Sequence, residues 1–331
     1  MATIREIAAK AQVSPAAVSR ILNNDASLNV TVSTRQRVFD AAAELGYEKK
    51  ERTKKTPDTL TYGILQWYSP KQELDDPYYL SIRLGVENYC SEKHINVVRA
   101  FRSDSDHMAS LAGADGLICI GKFDQKEIES FKKLTPRFIL VDMYTSRVEY
   151  NSISLDFENA VLDVMNHLHA LGHKTIGYLG GKEYLSDERI YPDMRRKVFK
   201  AFCTRHNITY VPYTLEDTYT SEAGYRMMSE LIQKESVPSA IFAASDSIAI
   251  GAMRALSEHG YQIPEDVSII GFDDISSAAY TAPPLTTVHA PAYEMGAYAA
   301  AFLMTQYPLF EQYKTPLHMT LPCRFVKRGS C

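Results

Sequence analysis

The 331-residue chain is too long for one ordinary core and suggests two or three compact units. Its 45% hydrophobic and 23% charged residues are those of a soluble globular protein, and no run approaches the roughly 20 apolar residues that span a bilayer. Net charge is -4, but residues 1–55 hold ten Lys and Arg against six Asp and Glu, a balance of +4 that leaves -8 on the rest. A small basic head on an acidic body makes nucleic acid a candidate partner for the head alone.

The first residues bring an acid at once, Glu6, and no apolar run, so no secretory signal is expected and the cytoplasm is the default location. Three short helices follow. Thr3-Ile4-Arg5-Glu6 is a capping box, after which Ile4, Ile7, Ala8 and Ala11 share one helical face. Ser14-Pro15 starts a second helix, with Ser14 as cap and Pro15 where its missing N–H costs nothing. Ala17, Val18, Ile21 and Leu22 give it an apolar face. Ser33-Thr34-Arg35-Gln36 reads as a third start, with Val38, Phe39, Ala42 and Leu45 facing inward and Gly46 past the end. A tight turn around Gln12-Val13 between two short helices is the helix-turn-helix arrangement, though plain interaction modules share it.

The wording is more specific than the periodicity. Val13-Ser14, then Val18-Ser19-Arg20 and Asn23, closely resembles the signature of the lactose-repressor/galactose-repressor family, and Thr34-Arg35 and Leu45-Gly46-Tyr47 fall where that family has them. The resemblance implies an N-terminal all-α helix-turn-helix head whose Pro15, Ala16 and Arg20 read base edges. It makes Thr3, Ser14, Ser19, Asn23 and Thr34 candidate phosphate contacts. An arginine can bond guanine O6 and N7 bidentately, and an alanine can touch a thymine methyl. A phosphate clamp or a surface ion pair is the alternative for Arg20.

Residues 48–59 form a polar, basic linker that ends the 1–47 head. In the family, the equivalent segment becomes a hinge helix whose leucine wedges into the minor groove. Here the matching positions are Lys49, Lys50, Thr53 and Thr56, and Pro57 would stop a helix. The wedge is absent, so the linker is expected to neutralise phosphates through Lys49, Lys50, Lys54, Lys55 and Arg52, or to act as a solvated tether.

From residue 60, apolar runs alternate with amphipathic stretches. Expected strands are Leu60–Trp67, Ile95–Phe101, Gly116–Ile120, Arg137–Asp142, Thr175–Leu179, Ala240–Ala244 and Val267–Phe272. Expected helices include Tyr79–Ser91, Asn159–Leu171, Ala223–Lys234 and Ser247–His259. This rhythm predicts parallel sheets covered on both faces. Two lobes fit the lengths: about 60–155 plus 286–331, and about 156–285. Ligands of such sheets bind beyond the carboxyl ends of strands, where Asp142, Asp246 and Asp273 stand. A carboxylate can accept from two adjacent hydroxyls of a sugar; Asp246 could instead cap the following helix.

The family resemblance extends over the body in Leu168–Gly177, Pro238–Ala252, Ile263–Asp274 and Pro284–Val288. It implies a two-lobed, periplasmic-binding-protein-like effector domain, 60–331, that binds a small sugar between its lobes. The family's effector arginine falls on Arg195, with Phe199 four residues on and Arg196 as the competing alignment. Its effector aromatic falls near Tyr219, and Ser245 stands where relatives often have Asn. Asp76–Arg83, with Tyr78 and Tyr79, and Ser245–Gly251 resemble regulators of β-galactosidase operons within the family, which implies galactose or a β-galactoside as effector.

Gly116–Lys122 fits Walker A spacing, but Phe123 replaces the Ser or Thr that holds magnesium. His167, His169 and His173 do not share a helix face, so no metal site is expected. Cys90, Cys119, Cys203, Cys323 and Cys331 contain no Cys-x-x-Cys and read as reduced thiols. No catalytic residue and no cofactor are expected, and no leucine-heptad tail follows the last strand. A homodimer on pseudo-palindromic double-stranded operator DNA, controlled allosterically by sugar, is the expected working state. A catabolite-control regulator with a phosphocarrier protein partner and corepressor-type control are the alternatives.

Overall fold

The computed structural model describes residues 4–22, 30–45, 60–144, 149–305 and 307–331. The chain divides into two compact units, Met1–Asp58 and Thr59–Cys331. In the first, α1 (Ile4–Ala11), α2 (Pro15–Leu22) and α3 (Val32–Glu44) close around Ile7, Ala8, Ala11, Val18, Ile21, Val38, Ala41 and Ala42. Ser14 starts α2, since the Ala17 N–H donates to its Oγ at 3.2 Å. Gln12 supplies the left-handed backbone of the preceding turn, at φ 52°.

Two details of the head differ from expectation. Thr31, not Ser33, caps α3: its extended backbone precedes the helix, and its Oγ1 accepts from the Thr34 N–H at 3.3 Å. Phe39 is exposed, because the buried stripe runs from Val38 to Ala41 and Ala42, three and four residues on. The Thr3 capping box, Gly46 and the whole 48–59 linker lie outside the described residues.

The first lobe of the second unit runs through β1 (Thr61–Gln66), α4 (Pro70–Asp75), α5 (Tyr78–Glu92), β2 (Asn96–Phe101), α6 (His107–Ser110), β3 (Gly116–Ile120), α7 (Gln125–Leu134), β4 (Phe138–Val141) and β5 (Ser152–Leu155). The second lobe continues through α8 (Phe157–Ala170), β6 (Ile176–Gly181), α9 (Met194–Arg205), β7 (Thr214–Asp217), α10 (Ser221–Gln233), β8 (Ala240–Ala243), α11 (Asp246–Glu258) and β9 (Ser268–Ile270). Last come β10 (Thr287–His289), α12 (Ala292–Thr305), α13 (Tyr307–Tyr313), β11 (His318–Leu321) and β12 (Arg324–Val326).

Two parallel sheets result, ordered β11-β5-β4-β3-β1-β2 and β7-β6-β8-β9. The uninterrupted apolar run of β3 is what a sheet covered on both faces demands. Leu117 and Cys119 enter one cluster with Phe123, Phe131 and Phe138, while Ile118 and Ile120 enter the other.

The chain crosses between the lobes after β5, after β10 and after β11. The Asp156 N–H donates to the Leu321 carbonyl at 2.8 Å, and β10 pairs antiparallel with β12. The expected return of 286–331 to the first lobe is therefore corrected at both ends: residues 286–289 still pair with the second lobe, where the Asp273 N–H donates to the Val288 carbonyl at 2.9 Å. Residues 324–331 cross back: the Ile269 N–H donates to the Ser330 carbonyl at 2.8 Å, and the Ser330 Oγ donates to the Ile269 carbonyl at 2.6 Å. Short strands β10 and β12 give no periodic signal strong enough to show this in advance.

Helix pairs in both lobes cross with backbone against backbone. A Cβ on Gly85 of α5 would lie 1.9 Å from the Tyr293 carbonyl oxygen, and one on Gly296 of α12 equally close to that of Ile82. Gly224 and Gly251 bring α10 and α11 together in the same way. Gly85→Ala is expected to cost roughly 1–3 kcal/mol through overpacking, read as a lowered midpoint in thermal melts of the full chain. An unchanged midpoint would contradict the close crossing.

Candidate functional site

Residues beyond the carboxyl ends of both sheets converge between the lobes. From the first lobe come Asp76, Tyr78 and Tyr79 at the start of α5, Lys122 after β3 and Asp142 after β4. From the second come Glu183 after β6, Arg195 in the first turn of α9, Tyr219 after β7 and Asp273 after β9. Asp142 and Asp273 both hold left-handed backbones, φ 59° and 106°, uncommon for residues other than glycine and a mark of positions held for a purpose.

Each lobe contributes one polar knot. Asp142 accepts from the Tyr78 hydroxyl at 3.0 Å, from the Tyr79 hydroxyl at 2.9 Å and from Lys122 Nζ at 2.6 Å. Arg195 pairs through Nε with Asp193 Oδ1 at 3.0 Å and donates to the Ala244 carbonyl at 2.8 Å and the Tyr219 hydroxyl at 2.6 Å. The rings of Phe157, Tyr219 and Phe272 lie 5.2, 5.2 and 5.5 Å from its guanidinium carbon. The Tyr79 hydroxyl reaches Glu183 Oε1 at 3.3 Å and so ties the first knot to the second lobe. Beside them, the segment after β6 leans on the first lobe. Ser186 bonds Asp124, and the Tyr191 hydroxyl donates to the Tyr144 carbonyl at 3.1 Å. Between the knots the lobes leave an enclosed space of about 20 Å³, room for about one water. Outside it, a wider volume of about 370 Å³ opens at the mouth of the cleft.

The charges are unequal. Asp76, Asp142, Glu183, Asp193 and Asp273 face only Lys122 and Arg195. Burial opposes the charge of Lys122 and of Arg195, but Asp142 and Asp193 outweigh it and raise both above their ordinary values. Burial also works against Asp193, yet Arg195 holds it below the usual carboxylate range. With both cations engaged, burial pushes Asp76 up to about 7 and raises Asp273 and Glu183.

The structure thus brings together Tyr78, Tyr79, Asp142, Arg195, Tyr219 and Asp273. Arg196 points elsewhere, pairing with Glu216 at 3.1 Å and half-exposed, so of the two arginines it is Arg195 that lines the chamber. Ser245 and Asp246 are corrected. Ser245 is the cap of α11, its Oγ accepting from the Ile248 N–H at 3.3 Å. Asp246 is not the cap and turns to the interlobe crossing, where it accepts from Thr287 Oγ1 at 2.5 Å and the Ile275 N–H at 2.9 Å. Both are buried outside the lining of the enclosed space.

Sequence reasoning missed Asp76, Lys122, Glu183 and Asp193. Lys122 stands two residues beyond the end of β3, close to the strand-end position that marked Asp142, which directly follows β4. Glu183 and Asp193 flank a stretch without periodicity, so no signal singled them out.

In the head, Ser14, Pro15 and Arg20 are exposed along α2. Thr34 is partly buried, and its Oγ1 lies 2.9 Å from Thr31 Oγ1. Thr3, Asn23 and the side chains of Ala16 and Ser19 lie outside the described residues. All five cysteines are free thiols, and no helix among the described residues is long and apolar enough to cross a membrane.

Residues 3–49 match the family model described as bacterial regulatory proteins, lacI family, and residues 165–331 match a periplasmic binding protein-like domain. The transcriptional repressor MelR of Bacillus subtilis (strain 168) is 36% identical over 100% of this chain and 98% of its own length. The transcriptional regulator GalR of Streptococcus thermophilus is 36% identical over 100% and 99%. The crystal structure of the lac repressor bound to ONPG in the repressed state superposes with a TM-score of 0.72 at 25% identity, over 100% of this chain and 99% of that one.

The raised Asp76 carboxyl makes a signed prediction. Folded, it holds its proton up to about pH 7, well above its ordinary value, so its contribution to stability is gained as pH falls through 7 and lost as pH rises. Asp76→Asn mimics the protonated form. The variant is expected to melt above the parent at about pH 8, by a margin that narrows at about pH 5.5 and closes only near the ordinary carboxyl value of 3.8. An equal difference at both pH values would contradict the assignment.

Proposed function

The chain belongs to the lacI family of bacterial regulatory proteins, and from that premise we propose that it represses a galactose or β-galactoside utilisation operon, binding operator DNA as a homodimer and releasing it when sugar enters the interlobe site. The observation that carries the reading is the pairing, in one chain, of a helix-turn-helix head with a chamber lined by carboxylates around a buried arginine.

In the head, Pro15, Ala16 and Arg20 are proposed to meet base edges in the major groove, with Thr3, Ser14, Ser19, Asn23 and Thr34 on phosphates. The lysines of the 48–59 linker add phosphate neutralisation. In the body, Asp142 and Asp273 accept from ring hydroxyls, while Arg195 donates and the Phe157 and Tyr219 rings that line the chamber pack on the apolar sugar face. An enclosed space of about 20 Å³ is too small for a sugar ring, so admission of one requires the lobes to part. Movement of the lobes would change the spacing of two heads across a dimer axis and hence their fit to a pseudo-palindromic site. The excess of carboxylates favours a neutral sugar over a phosphorylated one. The galactoside assignment leans on the resemblance of residues 76–83 and 245–251 to regulators of β-galactosidase operons.

Gel shifts on DNA upstream of the protein's own operon test the reading. Galactose or lactose should weaken binding roughly tenfold or more, and galactose 6-phosphate should not. Failure to prefer any duplex over random competitor, with or without sugar, would end it. Arg20→Ala should cost about 1–3 kcal/mol on the specific site and relax one base position. Neutralising Lys49, Lys50, Lys54 and Lys55 should flatten the log–log salt slope by roughly one for each phosphate that the linker no longer neutralises.

A further inference from the structure

We propose that the cleft carries a second, outer sugar subsite built on Trp67, which makes a galactoside of two or more rings, not free galactose, the preferred ligand. The inference rests on the galactoside reading above and deepens it.

The outer volume of about 370 Å³ lies in the size range of small-molecule sites, roughly 300–1,000 Å³. It adjoins the inner chamber and shares Tyr68, Glu183 and Tyr219 with it. Both lobes contribute to it, and the same rule places its residues: Trp67 follows β1, Arg102 follows β2, Lys182 and Tyr184 follow β6, and Thr218 follows β7. It is therefore the outward continuation of one ligand-binding edge.

Trp67 is held as a platform. Its backbone N–H donates to the Ile120 carbonyl at 2.9 Å, and its Cβ occupies the space a side chain at Gly121 would need, 2.2 Å from an ideal Cβ there. Gly121 also has φ 116°, so both space and backbone reserve that position for glycine. The indole is partly exposed and packs 5.0 Å from the Tyr68 ring and 5.8 Å from that of Tyr79, whose hydroxyl bonds Asp142 in the inner chamber. One cluster of tilted and edge-on aromatic rings thus runs from the inner knot to the mouth. Tyr184, 49% exposed, supplies a second face, and the ammonium of Lys182, exposed and in no ion pair among the described residues, supplies donors for hydroxyls. Once the lobes part to admit a ring to the inner chamber, a single ring can occupy one of the two volumes, and a disaccharide places one ring in each.

Trp67 is the chain's single tryptophan, so the indole emission has one source, and it lines the outer volume. The full-length protein is titrated with galactose, lactose, melibiose and galactobiose, following indole emission and, in parallel, heat of binding. The expected result is that at least one disaccharide shifts the emission and binds roughly tenfold or more tighter than galactose, and that Trp67→Ala removes about tenfold from that ratio. Trp67→Phe, which keeps an aromatic face, should recover part of it. Equal binding of galactose and every disaccharide, with emission unmoved, overturns the outer subsite and leaves the galactoside reading standing. Equal loss of both affinities in Trp67→Ala also overturns it. Binding of no galactoside, or an emission shift with a nucleoside only, overturns both.

Discussion

Five carboxyl groups meet two cations in the space between the lobes, and most of what distinguishes this body follows from that inequality. Asp142 and Asp193 secure Lys122 and Arg195, so the lobes close over two satisfied ion pairs. Asp76, Glu183 and Asp273 are left to share what remains of the positive field, and burial lifts all three toward protonation. A buried pair is stabilising only while both partners and their hydrogen bonds stay in place. The two knots are each complete within one lobe, which lets the lobes separate without stranding a charge. The single polar bond from Tyr79 to Glu183 is what separation breaks in the chamber itself.

Much of this architecture was legible in the residues. The continuous apolar runs of β1, β3 and β8 mark buried parallel strands, and the acids at strand ends mark the binding edge. The head's helices follow from Ser14-Pro15 and the 3.6-residue stripes. What escaped is instructive. β10 and β12 are three residues each and pair across the crossings, so their partners are set by tertiary placement, not pattern. Ser245 and Asp246 are adjacent in sequence, and either can cap a helix. Only the extended backbone at Ser245 decides that it caps, while Asp246 turns to brace Thr287. Thr31 displaced Ser33 for the same reason, since a cap is defined by where the helix begins and several hydroxyls compete nearby.

The site shows a related asymmetry. Residues fixed by strand ends, such as Asp142 and Asp273, could be named from the run that precedes them. Glu183 and Asp193 come from a segment whose only regular feature is an isolated bridge between Tyr184 and Ile190, and whose placement depends on contacts with the opposite lobe. Lys122 was visible but sat in a stretch that invited comparison with a phosphate loop. Its position beyond β3, not its spacing from glycines, is what gives it a role.

The return of residues 324–331 to the second lobe bears on how the protein is made. The first lobe lacks its edge strand until β11 has been synthesised, and the second lacks the bonds from Ser330 to Ile269 and Thr286 until the last residues emerge. Neither lobe can reach its final form on the ribosome ahead of the other. The helical head, made first and closed by contacts within its own few dozen residues, can fold while the body is still being translated. A nascent chain would thus carry a finished DNA-binding module before it has the means to regulate it.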